Sequence, residues 1–287
     1  MKLASFQLHG RETWGVVERD YIADVGTTHG SRFPDLRALI AAGAYGQAQE
    51  AAVNATRVPL AAVTWLPVVS NPQKIFCIGL NYDEHRKETG RAEVAHPTVF
   101  ARFANSQTGH LCDVPLTHLS SQLDYEGEFA VIIGKRGRYV SASDALTHIA
   151  GYACYNDFTV RDWQHHTHQF TPGKNFPRTG AFGPWMVTPD EIADLDSLHL
   201  QTRVNGETVQ TARLGQMIFG IAELIAYCSS FTQLEAGDVI VSGTPGGVGA
   251  KRQPPRWLQP GDLTEVEIDG IGLLRNRIVR EAHDAAA

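Results

Sequence analysis

Asp124-Tyr125-Glu126-Gly127-Glu128-Phe129-Ala130-Val131-Ile132-Ile133-Gly134 is the stretch from which the rest of the chain can be read. Residues 129–133 are rich in β-formers, so the segment reads as a strand, in which successive side chains alternate between faces. Glu126 and Glu128 therefore point the same way. Two carboxylates side by side on an otherwise apolar strand repel one another unless positive charge lies between them, and a divalent cation is the simplest source. Asp157 ends a second strand-like run, residues 151–157, and completes the set. Three carboxylates without an imidazole or thiolate make a hard oxygen site, suited to Mg2+ or Mn2+ rather than Zn2+. Taken alone, a Glu-x-Glu pair is more often a solvated strand face, and the surrounding sequence has to decide.

Composition narrows the function classes. The 287 residues are 43% hydrophobic and 20% charged, as expected of a globular protein rather than a disordered one. A net charge of −6 and the lack of any Lys/Arg-rich run argue against nucleic acid and point to small-molecule partners. Cys77, Cys112, Cys154 and Cys228 form no Cys-x-x-Cys pair, so buried free thiols in a reducing cytoplasm are expected. Met1-Lys2-Leu3-Ala4-Ser5-Phe6 lacks the apolar core of a signal peptide, and the most apolar helix candidate, residues 217–228, is interrupted by Glu223 and too short to span a bilayer. The expectation is a soluble cytoplasmic protein without a membrane anchor.

Along the chain, residues 1–70 read as a small N-terminal α/β domain: a meander at 2–6, 13–18 and 21–25, an Ala-rich helical stretch at 34–55 and an extended exit at 61–68. Val69-Ser70-Asn71-Pro72 marks the boundary, since Ser and Asn before Pro favour a turn. Residues 71–287 then carry short apolar strands punctuated by Gly and Pro, at 75–80, 98–103, 129–133, 149–155, 185–188, 198–204, 238–242 and 263–268. Helices are expected only at 142–148, 189–193 and 211–229, and the Ala-rich end 285–287 is expected to fray. The fold class is α+β, mainly β.

Gly79-Leu80-Asn81-Tyr82-Asp83-Glu84-His85-Arg86-Lys87-Glu88 follows a strand and turns polar. On a helix His85 and Glu88 share a face and form a carboxylate-oriented imidazole, the minimum for a general base, although an incidental surface pair is the plainer reading of this segment alone. Together with Asp124-Tyr125-Glu126-Gly127-Glu128, Asn156-Asp157, Arg161-Asp162-x-Gln164, Gly173-Lys174-Asn175-Phe176, Gly183-Pro184-Trp185, Val204-Asn205-Gly206-Glu207 and Gly243-Thr244-Pro245-Gly246-Gly247-Val248-Gly249, it resembles the fumarylacetoacetate hydrolase family. The series runs in the family's order over about residues 72–281, while residues 1–70 resemble its variable N-terminal domain.

The resemblance implies a mixed β-sandwich roll, a homodimer and Mg2+ or Mn2+ held by Glu126, Glu128 and Asp157. It further implies a water-activating dyad of His85 and Glu88 in a lid, Lys174 beside the substrate, and Tyr82, Gln164 and Thr244 in the substrate pocket. The sequence departs from the family at Arg102, where many members have lysine, and at Pro177, where many have aspartate. Arg102 keeps the positive charge but offers a planar fork for a substrate carboxylate, which leaves substrate choice open.

Three carboxylates on such an ion leave room for a 2-oxo acid to chelate through its carboxylate and keto oxygens. The leading expectation is a hydrolase that cleaves the carbon–carbon bond of a 2,4-dioxo acid, such as an acylpyruvate, fumarylpyruvate or a 2,4-dioxo-3-deoxy sugar acid. His85 would be the base, with the cation and Lys174 stabilising the oxyanion and the pyruvate enolate. Oxaloacetate decarboxylation, or isomerisation or hydration of an unsaturated 2-oxo acid, starts from the same enolate and is the alternative. A non-catalytic protein keeping the fold is disfavoured, because dyad, carboxylates and lysine are all present. His165-His166-Thr167-His168 is not read as a zinc site, residues 243–249 are a turn rather than a phosphate loop, and Trp163, Phe170, Phe176, Phe182 and Trp185 are assigned to the core.

Overall fold

The computed structural model describes residues 1–88, 90 and 95–282, so the expected fray at 285–287 lies outside the described residues. Strand Gly127–Ile133 is buried along its whole length, and its two faces serve two cores. Phe129, Val131 and Ile133 pack into one, Ala130 and Ile132 into the other. The neighbouring strand Ile149–Asp157 repeats the alternation, with Tyr152 and Cys154 in the first core and Ala153 and Tyr155 in the second. A strand buried on both faces reads as a continuous apolar run, which is why residues 129–133 lack polar alternation.

The main sheet has 12 strands. Its spatial order runs Thr56–Pro59, Tyr21–Asp24, Arg11–Glu18, Lys2–Leu8, Gly180–Val187, Ile149–Asp157, Gly127–Ile133, Val239–Val241, Ile75–Gly79, Thr98–Arg102. The pairings are antiparallel except for Val239–Val241 with Ile75–Gly79 and the short Gln107–Thr108 with Gly180–Val187, which makes the sheet mixed. A second sheet, led by the hairpin His199–Val204 and Glu207–Arg213, continues through Leu263–Ile268 and Gly272–Arg280 to Val114–Leu116. Leu200, Val204, Val266 and Leu274 of this sheet share the first core, so the two sheets stack face to face. Helices Leu36–Ala42 and Tyr45–Ala52 cover the opposite face through Leu36, Leu39, Ile40, Ala48 and Ala52. The result is the mainly β sandwich expected from the sequence.

The elements on the two sides of residue 70 meet in one sheet: Lys2–Leu8 pairs with Gly180–Val187, Leu3 opposite Met186. Several local expectations change. Residues 34–55 form two helices, because Gly43 adopts φ 59° and ends the first. Residues 211–213 belong to a strand, and the helix expected over 211–229 is Ile221–Phe231. Glu223, read as an interruption of an apolar segment, caps that helix by accepting from the Gly220 amide at 2.8 Å. The helices expected at 142–148 and 189–193 are the short 3-10 turns Ala145–His148 and Pro189–Glu191. The hairpin after Val204 turns on Asn205 and Gly206, both at positive φ as its two-residue loop requires. Among the described residues no helix is long and apolar enough to cross a membrane, and all four cysteines are free.

His110 lies at the seam between the N-terminal segment and the second sheet. Its ring meets Trp65 edge-on at 5.5 Å, and its Nδ1 accepts from the Arg275 amide at 3.1 Å. Burial, aided by the Arg275 charge, lowers its pKa to about 4. The folded state therefore resists a proton that the unfolded chain accepts near pH 6.5, so this contribution to stability is complete above that value and lost as pH falls to about 4. The fall in unfolding free energy over that window is expected to be shallower in His110→Asn than in the parent by roughly 3 kcal/mol. Chemical denaturation at several pH values measures it, and identical slopes would refute the assignment.

Candidate active site

Antiparallel pairing sets the acids side by side. Gly127 lies opposite Asn156 and Glu128 opposite Tyr155, and the Asp157 amide donates to the Glu126 carbonyl at 2.8 Å. Asn156 in turn accepts from the Glu126 amide at 3.0 Å. One carboxylate oxygen from each of Glu126, Glu128 and Asp157 then lies within 4.8 Å of the others, all three side chains buried. Gly127 between the glutamates faces the second sheet, where a Cβ would stand 1.9 Å from Thr202 Oγ1. The glycine lets the sheets close while both neighbours turn toward the site.

Three buried cations answer these acids. Lys174, at the end of the short helix Thr171–Lys174, places Nζ 2.6 Å from both Glu126 Oε2 and Asp157 Oδ2. Arg161 reaches Glu126 Oε1 at 2.6 Å through Nη1 and donates from Nε to Asp124 Oδ2 at 2.8 Å. Arg102 donates from Nη1 to Asp157 Oδ1 and from Nη2 to Thr179 Oγ1 at 2.7 Å. Among the described residues Glu128 has only the Gly243 amide, 2.6 Å from Oε2.

This imbalance is visible in the protonation chemistry. Burial alone would raise the Glu126 pKa, but Lys174 and Arg161 outweigh it and bring it to about 2. Burial and the neighbouring charges of Asp157 and Glu126 push Glu128 well above the usual carboxylate range. Four buried carboxylates, counting Asp124, thus face three buried cations, and the surplus sits on Glu128. An all-oxygen donor set with one uncompensated carboxylate fits a hard divalent cation.

A cavity of about 130 Å3 opens above the acids. Glu126, Glu128, Arg161, Gln164, Lys174 and Thr244 supply polar lining, while Ile78, Leu80, Phe100, Phe170 and Val248 supply apolar lining. His85, on helix Asp83–Glu88, also lines it. Its Nδ1 lies 3.3 Å from Glu88 Oε2, and Glu88 also accepts from the Gly247 amide at 3.3 Å. Half-burial pulls the Glu88 pKa up, but the contacts with His85 and Gly247 overcome this and hold it below its usual value. Asn81 anchors the root of this helix, donating to the Phe219 and Ser242 carbonyls at 3.0 and 2.8 Å and accepting from the Phe219 amide at 2.8 Å.

The cavity therefore gathers His85, Glu126, Glu128, Gln164, Lys174 and Thr244, with Glu88 behind His85 and Asp157 beneath Lys174. Thr244 is positioned by donating to the Gly127 carbonyl at 2.9 Å and accepting from Gln210 at 2.8 Å. Arg102 is buried behind the acids, its guanidinium engaged by Asp157 and Thr179, and among the described residues it does not line the cavity. Tyr82 is buried outside the lining as well; it bridges to Met217, and its hydroxyl has no hydrogen-bond partner among the described residues. Phe170, assigned to the core, lines the cavity and meets Phe100 edge-on at 5.6 Å. Sequence reasoning also passed over Arg161 and Asp124, although both stand inside motifs it quoted. Among the described residues, Glu126, Glu128 and Asp157 are the one cluster with metal-ligand geometry; His166 instead packs on Trp163 at 4.9 Å.

Residues 74–279 match the family model described as fumarylacetoacetate (FAA) hydrolase C-terminal. The chain is 41% identical over 224 residues to a human mitochondrial oxaloacetate tautomerase, covering 77% of this chain and 71% of that one. It superposes on a fumarylacetoacetate hydrolase from Exiguobacterium antarcticum with a TM-score of 0.87 and 36% identity, over 98% of this chain and 100% of the other. A maleylpyruvate hydrolase from Sphingobium sp. SYK-6, in complex with manganese (II) ion and pyruvate, gives 0.83 and 29% over the same shares.

If Glu128 carries the charge left for the cation, Mn2+ at a hundred times its dissociation constant is expected to stabilise the parent by about 2.7 kcal/mol. Metal-free Glu128→Gln should be at least as stable as the metal-free parent, yet gain nothing from Mn2+. Thermal unfolding with and without the ion reads both, and an equal Mn2+ response in the variant would exclude Glu128 as a ligand.

Proposed function

The chain belongs to the fumarylacetoacetate hydrolase family, and we propose that it is a Mg2+- or Mn2+-dependent enzyme that interconverts the keto and enol forms of a small 2-oxo acid of the oxaloacetate type. The observation that carries this reading is the His85 imidazole, oriented by ionised Glu88 and lining a cavity of about 130 Å3 together with Glu126 and Glu128. Keto–enol exchange moves one proton between a carbon and the neighbouring keto oxygen, and one such base can relay it. The likeness to an oxaloacetate tautomerase supports the same reading.

Mg2+ or Mn2+ held by Glu126, Glu128 and Asp157 would supply Lewis-acid polarisation of the 2-oxo acid's carboxylate and keto oxygens. His85 takes the proton from the carbon next to the keto group and hands it to the keto oxygen, giving the enol; in the opposite direction it takes the hydroxyl proton and returns it to carbon. Glu88, kept ionised by the Gly247 amide and His85, stabilises the imidazolium that forms in between. Lys174 and Arg161 keep the floor of the cavity positive enough for an enolate to form among carboxylates. Phe100, Phe170, Ile78 and Val248 line the cavity with apolar surface, which lowers access of water to the enolate.

Hydrolysis of the carbon–carbon bond in a 2,4-dioxo acid is the second reading, favoured by the likeness to maleylpyruvate hydrolase. In it His85 would deprotonate water instead of carbon. The cavity is well below the roughly 300 Å3 at which pockets for larger ligands begin, which supports the smaller substrate and the simpler reaction.

Mn2+-loaded protein is expected to accelerate decay of the enol absorbance of oxaloacetate, and EDTA should abolish the effect. His85→Gln should lower kcat by roughly 10²- to 10⁴-fold while leaving Mn2+ binding intact. Release of pyruvate from acetylpyruvate without any effect on oxaloacetate would replace the tautomerase reading with the hydrolase one.

A further inference from the structure

The cavity is chemically lopsided at its mouth. On its floor, the cations Arg161 and Lys174 are already in contact with Asp124, Glu126 and Asp157. Ile78, Leu80, Phe100, Phe170 and Val248 offer no partner for a charge. Lys251 lines the same cavity and is exposed, and its side chain makes no hydrogen bond or ion pair among the described residues.

Lys251 stands on a rigid root. It ends the 3-10 turn Gly249–Lys251, whose Gly249 and Ala250 amides donate to Asp124 at 2.8 and 2.9 Å. A Cβ on Gly249 would meet the Arg256 carbonyl at 2.0 Å, so only glycine fits at this close approach. The same Asp124 carboxylate accepts from Arg161 Nε at 2.8 Å. One buried acid thus ties the base of Lys251 to the cavity floor, leaving a long, mobile ammonium at the rim. A charged side chain on an anchored base, with no ion-pair partner among the described residues while the cavity's other ammonium and guanidinium are already engaged by carboxylates, is suited to a carboxylate arriving with the ligand.

We infer that Lys251 binds a second carboxylate of the substrate, so that the site selects 2-oxo diacids over uncharged-tailed 2-oxo acids of the same length. The inference rests on the proposed 2-oxo acid chemistry and adds the substrate class and the residue that sets it. Because the contact lies at the rim, it acts on binding rather than on the proton transfer, and salt weakens it.

The test compares oxaloacetate with its 4-methyl ester on Mn2+-loaded parent, Lys251→Met and Lys251→Arg. The parent is expected to show a KM about tenfold lower for the diacid, with a diacid KM that rises with ionic strength. Lys251→Met should raise the diacid KM about tenfold, leave the ester KM and both kcat values in place, and lose the salt dependence; Lys251→Arg should restore the preference. Equal KM values for diacid and ester in the parent, or an undiminished preference in Lys251→Met, would overturn this inference and leave the proposed function standing. No turnover of either compound by the parent would overturn both.

Discussion

Repulsion among buried carboxylates is the constraint around which this protein is built. Antiparallel pairing of Gly127–Ile133 with Ile149–Asp157 brings Glu126, Glu128 and Asp157 to one end of the sheet, where all three are buried. The fold answers with charges drawn from three separate places: Arg102 on an edge strand, Arg161 on a short helix and Lys174 on another. Each outer oxygen of Glu126 and Asp157 is held by a guanidinium, and the two inner ones share the ammonium of Lys174. Only Glu128 is left to an amide, and that residue gives the cluster its capacity for a cation.

The rest of the architecture serves to keep these groups in register. The second sheet can approach closely because Gly127 presents no side chain to Thr202, and the N-terminal helices seal the other face of the same strands. The base belongs to a helix outside this rigid centre. His85 is joined to it through Asn81 at the root of the helix and through the contact of Glu88 with Gly247 at its far end. Acid cluster and base therefore rest on different kinds of support, one on sheet pairing and the other on a few loop contacts.

The acid cluster was legible in the sequence because alternation along a strand is local: Glu126 and Glu128 share a face whatever the tertiary structure. His85 and Glu88 were legible for the same reason on a helix. Arg102 was not. Its positive charge suggested a substrate contact, but only the approach of Thr98–Arg102 to Asp157 shows that the charge is already engaged. The placing of Tyr82 beside Met217 was likewise not legible, since whether a tyrosine faces a cavity depends on what packs over it. Residues 211–213 were read as helical because the apolar run after them dominates the window, whereas their strand exists only through pairing with His199–Val204. The overall β class was plain from the density of short apolar runs, and Glu207–Arg213 and Gly272–Arg280 were the longest of the strands that escaped.

The interlocked acids and bases also bear on how such a sequence can drift. Removing one partner of a buried ion pair typically costs about 3–5 kcal/mol, a large share of the 5–15 kcal/mol that holds a domain folded. A random replacement at Arg102, Arg161 or Lys174 would thus be felt first as loss of folded protein in the cell and only second as loss of chemistry. New substrates are more easily explored at the cavity mouth, where side chains such as Lys251 are exposed and unpaired among the described residues. The charge web thereby divides the site into an inheritance that is costly to alter and a margin open to experiment.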